Sequence, residues 1–150
     1  MASKKKPSKR GPAKRGIQCA AFPFQERNGE TYVLLVTSRE TKRWVLPKGW
    51  TEKHGRGAEQ AQREAFEEAG IIGQIAPDAI GAYAYPKRLD DGATVTCDVE
   101  VFALAVERLL EDWPEKSQRE RRWFTLSEAA MAVDDGGLVT LMLQLAAPEA

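Results

Sequence analysis

At 150 residues, 43% hydrophobic and 29% charged, the chain can build one packed domain and is too short for two comfortable ones. No apolar run approaches the roughly 18 to 20 residues of a membrane span, so no membrane segment is expected. The formal charge of zero hides an asymmetry: residues 1–16, MASKKKPSKRGPAKRG, hold seven of the 22 Lys/Arg and no acid, leaving 15 basic against 22 acidic residues, about −7, in the rest.

Pro7, Gly11 and Pro12 argue against an amphipathic targeting helix in this basic stretch, and no apolar core follows it as a secretory signal requires. It reads as a disordered basic tail over 1–16, ahead of one domain over 17–150. Two uses stand open for the tail: a weak, salt-sensitive contact with nucleic acid or another polyanion, or solvation with no specific contact.

Residues 17–26, IQCAAFPFQE, and 31–38, TYVLLVTS, read as strands joined at Asn28-Gly29, a strong hairpin signal. RWVLP, 43–47, is a short extended piece. KGWTEKHGRG, 48–57, is a Gly-rich loop carrying Lys48, Lys53 and Arg56, and Ala58 opens a helix that Gly70 stops. Two strands follow, about 71–85 and 94–107, with PKRLDDGA as a turn-rich basic loop between them. In the second, Val95, Cys97, Val99, Val101, Ala103 and Ala105 alternate with Thr94, Thr96, Asp98 and Glu100 before both faces turn apolar. RRWFTL, 121–126, is one more strand. Ser127 is placed to cap a short helix, and Gly136-Gly137 breaks the chain before a last apolar helix, LVTLMLQLAA. Strands and helices do not alternate regularly, so the expected architecture is a sheet with helices on both sides.

Cys19 and Cys97 stand 78 residues apart, both in strand-like runs, and the single His54 cannot complete a Cys/His metal site with them. Two buried free thiols point to a reducing compartment, and a cytoplasmic protein is expected.

The chemistry concentrates in REAFEEAG, residues 63–70, where Glu64, Glu67 and Glu68 crowd into five positions. On a helix, residues three and four apart share a face, so like charges there cost stability. At about 100° per residue, Ala58, Ala61, Ala65, Ala69 and Phe66 fall in one broad arc and the three glutamates in the opposite one. The helix is expected to pack through small residues and present its acids. A solvated acidic face is one outcome. The other is a hard divalent cation, Mg²⁺ or Mn²⁺, whose preference for oxygen ligands repays the repulsion. Lys48, Lys53 and Arg56 beside the acids favour the second, because a polyanionic substrate would bridge metal and lysine.

GWTEKHGRGAEQAQREAFEEAGI, residues 49–71, resembles the Nudix box, G-x5-E-x7-R-E-U-x-E-E-x-G-U with U aliphatic: Gly49, Arg63, Glu64, Ala65, Glu67, Glu68, Gly70 and Ile71 are all in register. One position departs, since the first glutamate of the pattern falls on Gly55, which leaves the number of bound ions open. TSRETKRWVLPKGW and LLEDWPEKSQRERRWFTLSEA resemble the flanking stretches of the branch that hydrolyses diphosphoinositol polyphosphates and diadenosine polyphosphates. The resemblance covers residues 17 to 133. The fold it implies is α/β (α+β), an α/β/α sandwich around a mixed β-sheet. The activity it implies is Mg²⁺-dependent hydrolysis of a phosphoanhydride, a nucleoside diphosphate linked to another moiety, with a small polyphosphate as substrate and Mn²⁺ as an alternative ion. A nucleoside triphosphate or nucleotide-sugar pyrophosphatase is the rival within enzymes. Gly55 also admits a phosphate-ligand or RNA-binding module without turnover.

By this resemblance Glu64 and Glu68 are Mg²⁺ ligands, the backbone carbonyl of Gly49 completes the shell, and Glu67 is the general base or a further ligand. A base from a later loop is the alternative, with Glu115 and Glu120 as candidates. Arg63 reads either as a group orienting one of these carboxylates or as an ordinary helix-surface pair with Glu59 or Glu67. Ser38, Arg39, Arg43, Lys48, Lys87 and Arg88 are candidate phosphate contacts. Trp44, Trp50, Trp113 and Trp123 either stack a base or pack, and His54 is either a phosphate contact or an exposed loop residue.

Overall fold

The computed structural model of the chain describes residues 15–51 and 57–146. The basic tail up to residue 14, Lys53, His54, Gly55 and Arg56 therefore lie outside the described residues.

The chain opens with β1 (Arg15–Arg27) and β2 (Glu30–Thr37), antiparallel partners with Arg27 opposite Glu30. Asn28 and Gly29 both take positive φ, 52° and 81°, the geometry a two-residue hairpin turn demands and these two residues tolerate. The expected extended piece at 43–47 shortens to β3 (Trp44–Val45). Part of the expected loop is a strand instead: β4 (Lys48–Trp50) pairs with β1, setting Gly49 opposite Cys19.

Helix α1 (Gly57–Ala69) follows, then β5 (Ile71–Arg88) and β6 (Thr94–Leu109). Lys87 and Arg88, expected in a loop, are the last residues of β5, because Pro86–Arg88 continue the ladder opposite Thr94–Thr96. A single 3-10 turn at Lys116–Gln118 precedes β7 (Arg121–Thr125), α2 (Leu126–Ala132) and α3 (Gly136–Ala146). Thr125, and not Ser127, caps α2. Its hydroxyl accepts from Glu128 N, and the Glu128 side chain accepts from Thr125 N, a capping box that starts the helix two residues early. The Gly136-Gly137 pair lies inside the first turn of α3, where helical N–H groups have no intrahelical acceptor to lose, and Val139 N already bonds Asp135 O at 2.9 Å.

The strands make one mixed sheet in the order β3-β2-β1-β6-β5, with β4 added on β1 and β7 on β2. Only β1 and β6, side by side at the centre, run parallel among these pairs. Alternation along β1 splits the core in two. Ala20 and Phe22 join Leu35, Val99, Val101, Leu138 and Met142 beneath α2 and α3, while Cys19 and Ala21 join Leu34, Phe102, Leu104, Ala61 and Ala65 beneath α1. This is the expected sandwich, and each fully buried Leu contributes about 1.5–3 kcal/mol. The buried set on β6 changes face at Val101–Phe102: Ala105 is exposed, while Phe102, Leu104 and Val106 turn toward α1. The two helix layers are therefore displaced along the central strand. No helix among the described residues is long and apolar enough to cross a membrane.

Candidate active site

Helix α1 meets the sheet through Ala61, Ala65 and Ala69, each with no exposed surface, as the small-residue stripe requires. Two residues sit on the opposite side from expectation. Glu68 is only 6% exposed. Seven residues after Ala61, it comes round to within about 20° of it, at the edge of the alanine stripe and inside the buried face. Phe66 is 39% exposed and lines a groove with Gln62, Arg63, Ile71 and Ile72. The apolar stripe is narrower than the arc drawn from composition, and a carboxylate occupies part of it.

Glu64 lies against β4. A Cβ placed on Gly49 would run into the Glu64 carboxylate, so the strand backbone and the acid approach to a distance that only glycine allows. The Glu64 carboxyl accepts a bond from Gln60 Nε2 at 2.6 Å and shares a hydrogen bond with Glu68. Glu68 Oε1 accepts from Lys48 N at 3.3 Å, and Glu68 Oε2 lies 3.7 Å from Arg119 Nη2. The Arg119 side chain, 9% exposed, also donates to Glu115 Oε1 at 2.6 Å and to the Thr37 carbonyl at 2.9 Å.

Burial dominates the electrostatics. It raises the Glu68 carboxyl from its ordinary 4.5 to about 8, with Arg119 and Lys48 opposing the shift and Glu64 adding to it. It raises Glu64 as well, helped by the charges of Glu67 and Glu115. It also lowers the Lys48 ammonium, against the pull of Glu68 and Asp135. Glu64 and Glu68 are in contact with each other, and among the described residues no three acid, Cys or His side chains already converge as a ready metal cluster. Glu67 is half-buried and its backbone carbonyl is taken by Glu115 N at 3.1 Å. The pair still fits a hard divalent cation. Two desolvated carboxyls share a hydrogen bond, Arg119 is divided among three acceptors, and the donors are all oxygen.

A stability signature follows. Folded Glu68 keeps its proton until about pH 8, whereas the unfolded chain releases it near 4.5, so the unfolded state binds fewer protons between those values and stability falls as pH rises. In chelator, the melting temperature is expected to drop from pH 6 to pH 8, and Mg²⁺ should recover more of it at pH 8. Thermal melts with and without EDTA check this. A pH-independent difference between the two would contradict a protonated Glu68.

The other expected site residues divide. Arg63 donates to Gln60 Oε1 at 3.1 Å, and Gln60 in turn holds Glu64, so its hold on a carboxylate is relayed. Lys48 and Lys87 act on each other electrostatically, and the Lys48 ammonium stands 5.3 Å from the centre of the Tyr85 ring, whose hydroxyl donates to Gln18 at 2.8 Å. Arg88 is exposed. Ser38 is spent on its own turn: its hydroxyl bonds Thr41 and accepts from Arg43 N. Arg39 bonds Gln118 and Arg43 pairs with Asp134, all on the surface. Glu115 is brought to the pair by Arg119, whereas Glu120 is exposed, with its backbone bonded to Thr37. Trp44 packs edge-on against Phe124, Trp50 against Gly16, and Trp123 under Arg27. Arg119, Trp113 and Arg121 touch the helix or its acids; Arg119 and Arg121 were not among the expected site residues, and Trp113, expected either to stack a base or to pack, instead donates to the end of α1. They are 45 to 52 residues from their partners in α1, and no spacing links them.

The NUDIX domain family model matches residues 14–142. Similar curated proteins include Nudix hydrolase 12, mitochondrial, of Arabidopsis thaliana, 40% identical over 65% of this chain and 49% of that protein. Diphosphoinositol polyphosphate phosphohydrolase 3-alpha of Mus musculus is 31% identical over 75% of this chain and 65% of that protein. The chain spans about half to two thirds of the length of the curated relatives it matches. A crystal structure of a C. elegans Ap4A hydrolase binary complex shares the fold, with a TM-score of 0.65 at 19% identity over 87% of this chain and 94% of that one.

Proposed function

This chain belongs to the Nudix family, and on that premise we propose that it hydrolyses a phosphoanhydride of a small polyphosphate by attack of water at phosphorus. The observation that carries the proposal is the carboxyl pair of half-buried Glu64, seated against Gly49, and buried Glu68, on the backbone N–H of Lys48. Glu64, Glu68 and the Gly49 carbonyl would hold Mg²⁺ or Mn²⁺, which when bound would supply Lewis acidity and charge neutralisation. Glu67 takes the proton of the attacking water. Glu115 is the rival base, but it already holds Arg119 at 2.6 Å, and Glu120 is exposed. Arg119 fixes Glu68 from behind and Arg63 steadies Glu64 through Gln60. The desolvated Lys48 ammonium and Lys87 receive phosphate oxygens, with Arg39, Arg43 and Arg88 left for a longer polyanion.

The favoured substrates are dinucleoside polyphosphates or diphosphoinositol polyphosphates, supported by the 31% identity to the mouse enzyme and by the stretches flanking the box. A panel of these with nucleoside triphosphates and nucleotide sugars, products identified, tests the choice. Hydrolysis of a favoured substrate at least about tenfold faster than any mononucleotide is expected, a difference of about 1.4 kcal/mol in the barrier. Mononucleotide hydrolysis alone would replace the substrate class, and binding without turnover would favour the module that Gly55 permits. The buried free thiols of Cys19 and Cys97 suit a reducing compartment such as the cytoplasm.

A further inference from the structure

Helix α1 ends against the segment that leads into β7, and the contact is unusually complete. The carbonyls of Glu67, Glu68, Ala69 and Gly70 accept, in order, from Glu115 N at 3.1 Å, Trp113 Nε1 at 2.9 Å, Arg121 Nη1 at 2.6 Å and Leu110 N at 2.8 Å. These are the groups a helix normally leaves to water or to a glycine turn. Arg121 donates its other Nη to Leu110 O at 2.6 Å, and its guanidinium carbon stands 3.9 Å from the centre of the Trp113 ring. Gly70, at φ +66°, lets both side chains reach the helix end, since a Cβ there would touch each of them.

We propose that Trp113 and Arg121 are positioning residues for the Glu64/Glu68 pair, acting by locking the rotation of α1. This inference rests on the hydrolase reading above. The carbonyls of 67, 68 and 69 are spread over about 200° of the helix circumference, so holding all three from one segment opposes both roll and axial slip. The alanine stripe holds the helix close to the sheet but makes no directional bond that fixes its rotation. A roll of about 10° carries a carboxylate some 6 Å from the axis through about 1 Å, and a displacement of that size costs up to about 100-fold in rate. Glu68 is thereby fixed twice, by its side chain to Lys48 N and Arg119 and by its own carbonyl to Trp113.

The test uses Trp113→Phe, which keeps a ring under Arg121 and removes the indole donor, and Arg121→Lys, which keeps the charge and removes the fork. Mn²⁺ binding is read directly by electron paramagnetic resonance, kcat and KM on a substrate the wild type turns over, and folding by thermal melts. Arg27→Lys is the control, since Arg27 stacks on Tyr32 and Trp123 at 4.8 and 4.7 Å. Expected for both variants, at temperatures where they are folded, are about tenfold or more weaker Mn²⁺ binding and lower kcat with KM within about twofold. The control should lose only melting temperature. Wild-type Mn²⁺ affinity and kcat in folded Trp113→Phe would overturn the proposal, even if Arg121→Lys does not fold. A wild type that neither binds Mn²⁺ nor turns over any phosphoanhydride would overturn the hydrolase reading with it.

Discussion

Gly49→Ala is expected to leave the fold standing and to lower turnover by about 100-fold or more. Gly49 is not among the glycines at positive φ, which in the described residues are Gly29, Gly70 and Gly92, so alanine fits the backbone. The three atoms nearest the new Cβ would all belong to the Glu64 side chain, two of them in its carboxyl group. That carboxyl can swing away, losing its bonds to Gln60 and Glu68 at about 0.5–1.5 kcal/mol each and no core packing. A melting temperature within a few degrees of the wild type, together with collapsed kcat and weakened Mn²⁺ binding, is the signature. Wild-type kcat in this variant would remove Gly49 and Glu64 from the site.

Glu68→Gln should have the largest effect, with two opposite signs. Removing a ligand that contributes several kcal/mol in the transition state lowers kcat by about 1,000-fold. The same change spares the folded state a buried carboxylate, so in chelator at pH 8 the variant should melt higher than the wild type. Gln still accepts from Lys48 N, and Arg119 keeps Glu115 and Thr37. Assays in Mg²⁺ paired with melts in EDTA separate the two signs. Unchanged turnover would reject Glu68 as a ligand, and a lower melting temperature in chelator would reject the picture of a costly buried acid.

The elements were legible wherever a local rule governs. Asn28-Gly29 announces its hairpin because few other pairs tolerate two positive φ angles, and Gly70 announces the end of α1 for a similar reason. Where two local rules compete, the reading went astray. Ser127 and Thr125 are both capping residues, and only the reach of Glu128 back to Thr125 decides between them. Within the site, Gly49 and the acids were visible through their register, but the inward turn of Glu68 was not: a composition-weighted arc assumes that a carboxylate faces water. Arg119 was invisible, and Trp113 visible only as an aromatic that either stacks or packs, for a different reason. Their partners lie in α1, and nothing in one sequence joins residues so far apart except the fold itself.

The latch at the end of α1 also has a direction in time. The acidic helix is complete as a peptide once residue 71 has been made, yet its carbonyls wait for Trp113 and Arg121, and its sheet waits for β6 to pair with β1 across the centre. Closing loops of that length is the slow part of folding, since the entropy is lost before the contacts that repay it are made. A nascent or truncated chain ending before Arg121 would therefore carry every motif residue and hold no ordered site. Ribosome-stalled chains of increasing length should show the site's Mn²⁺ affinity arriving in one step as β7 leaves the exit tunnel, some fifty residues after the motif itself has left it.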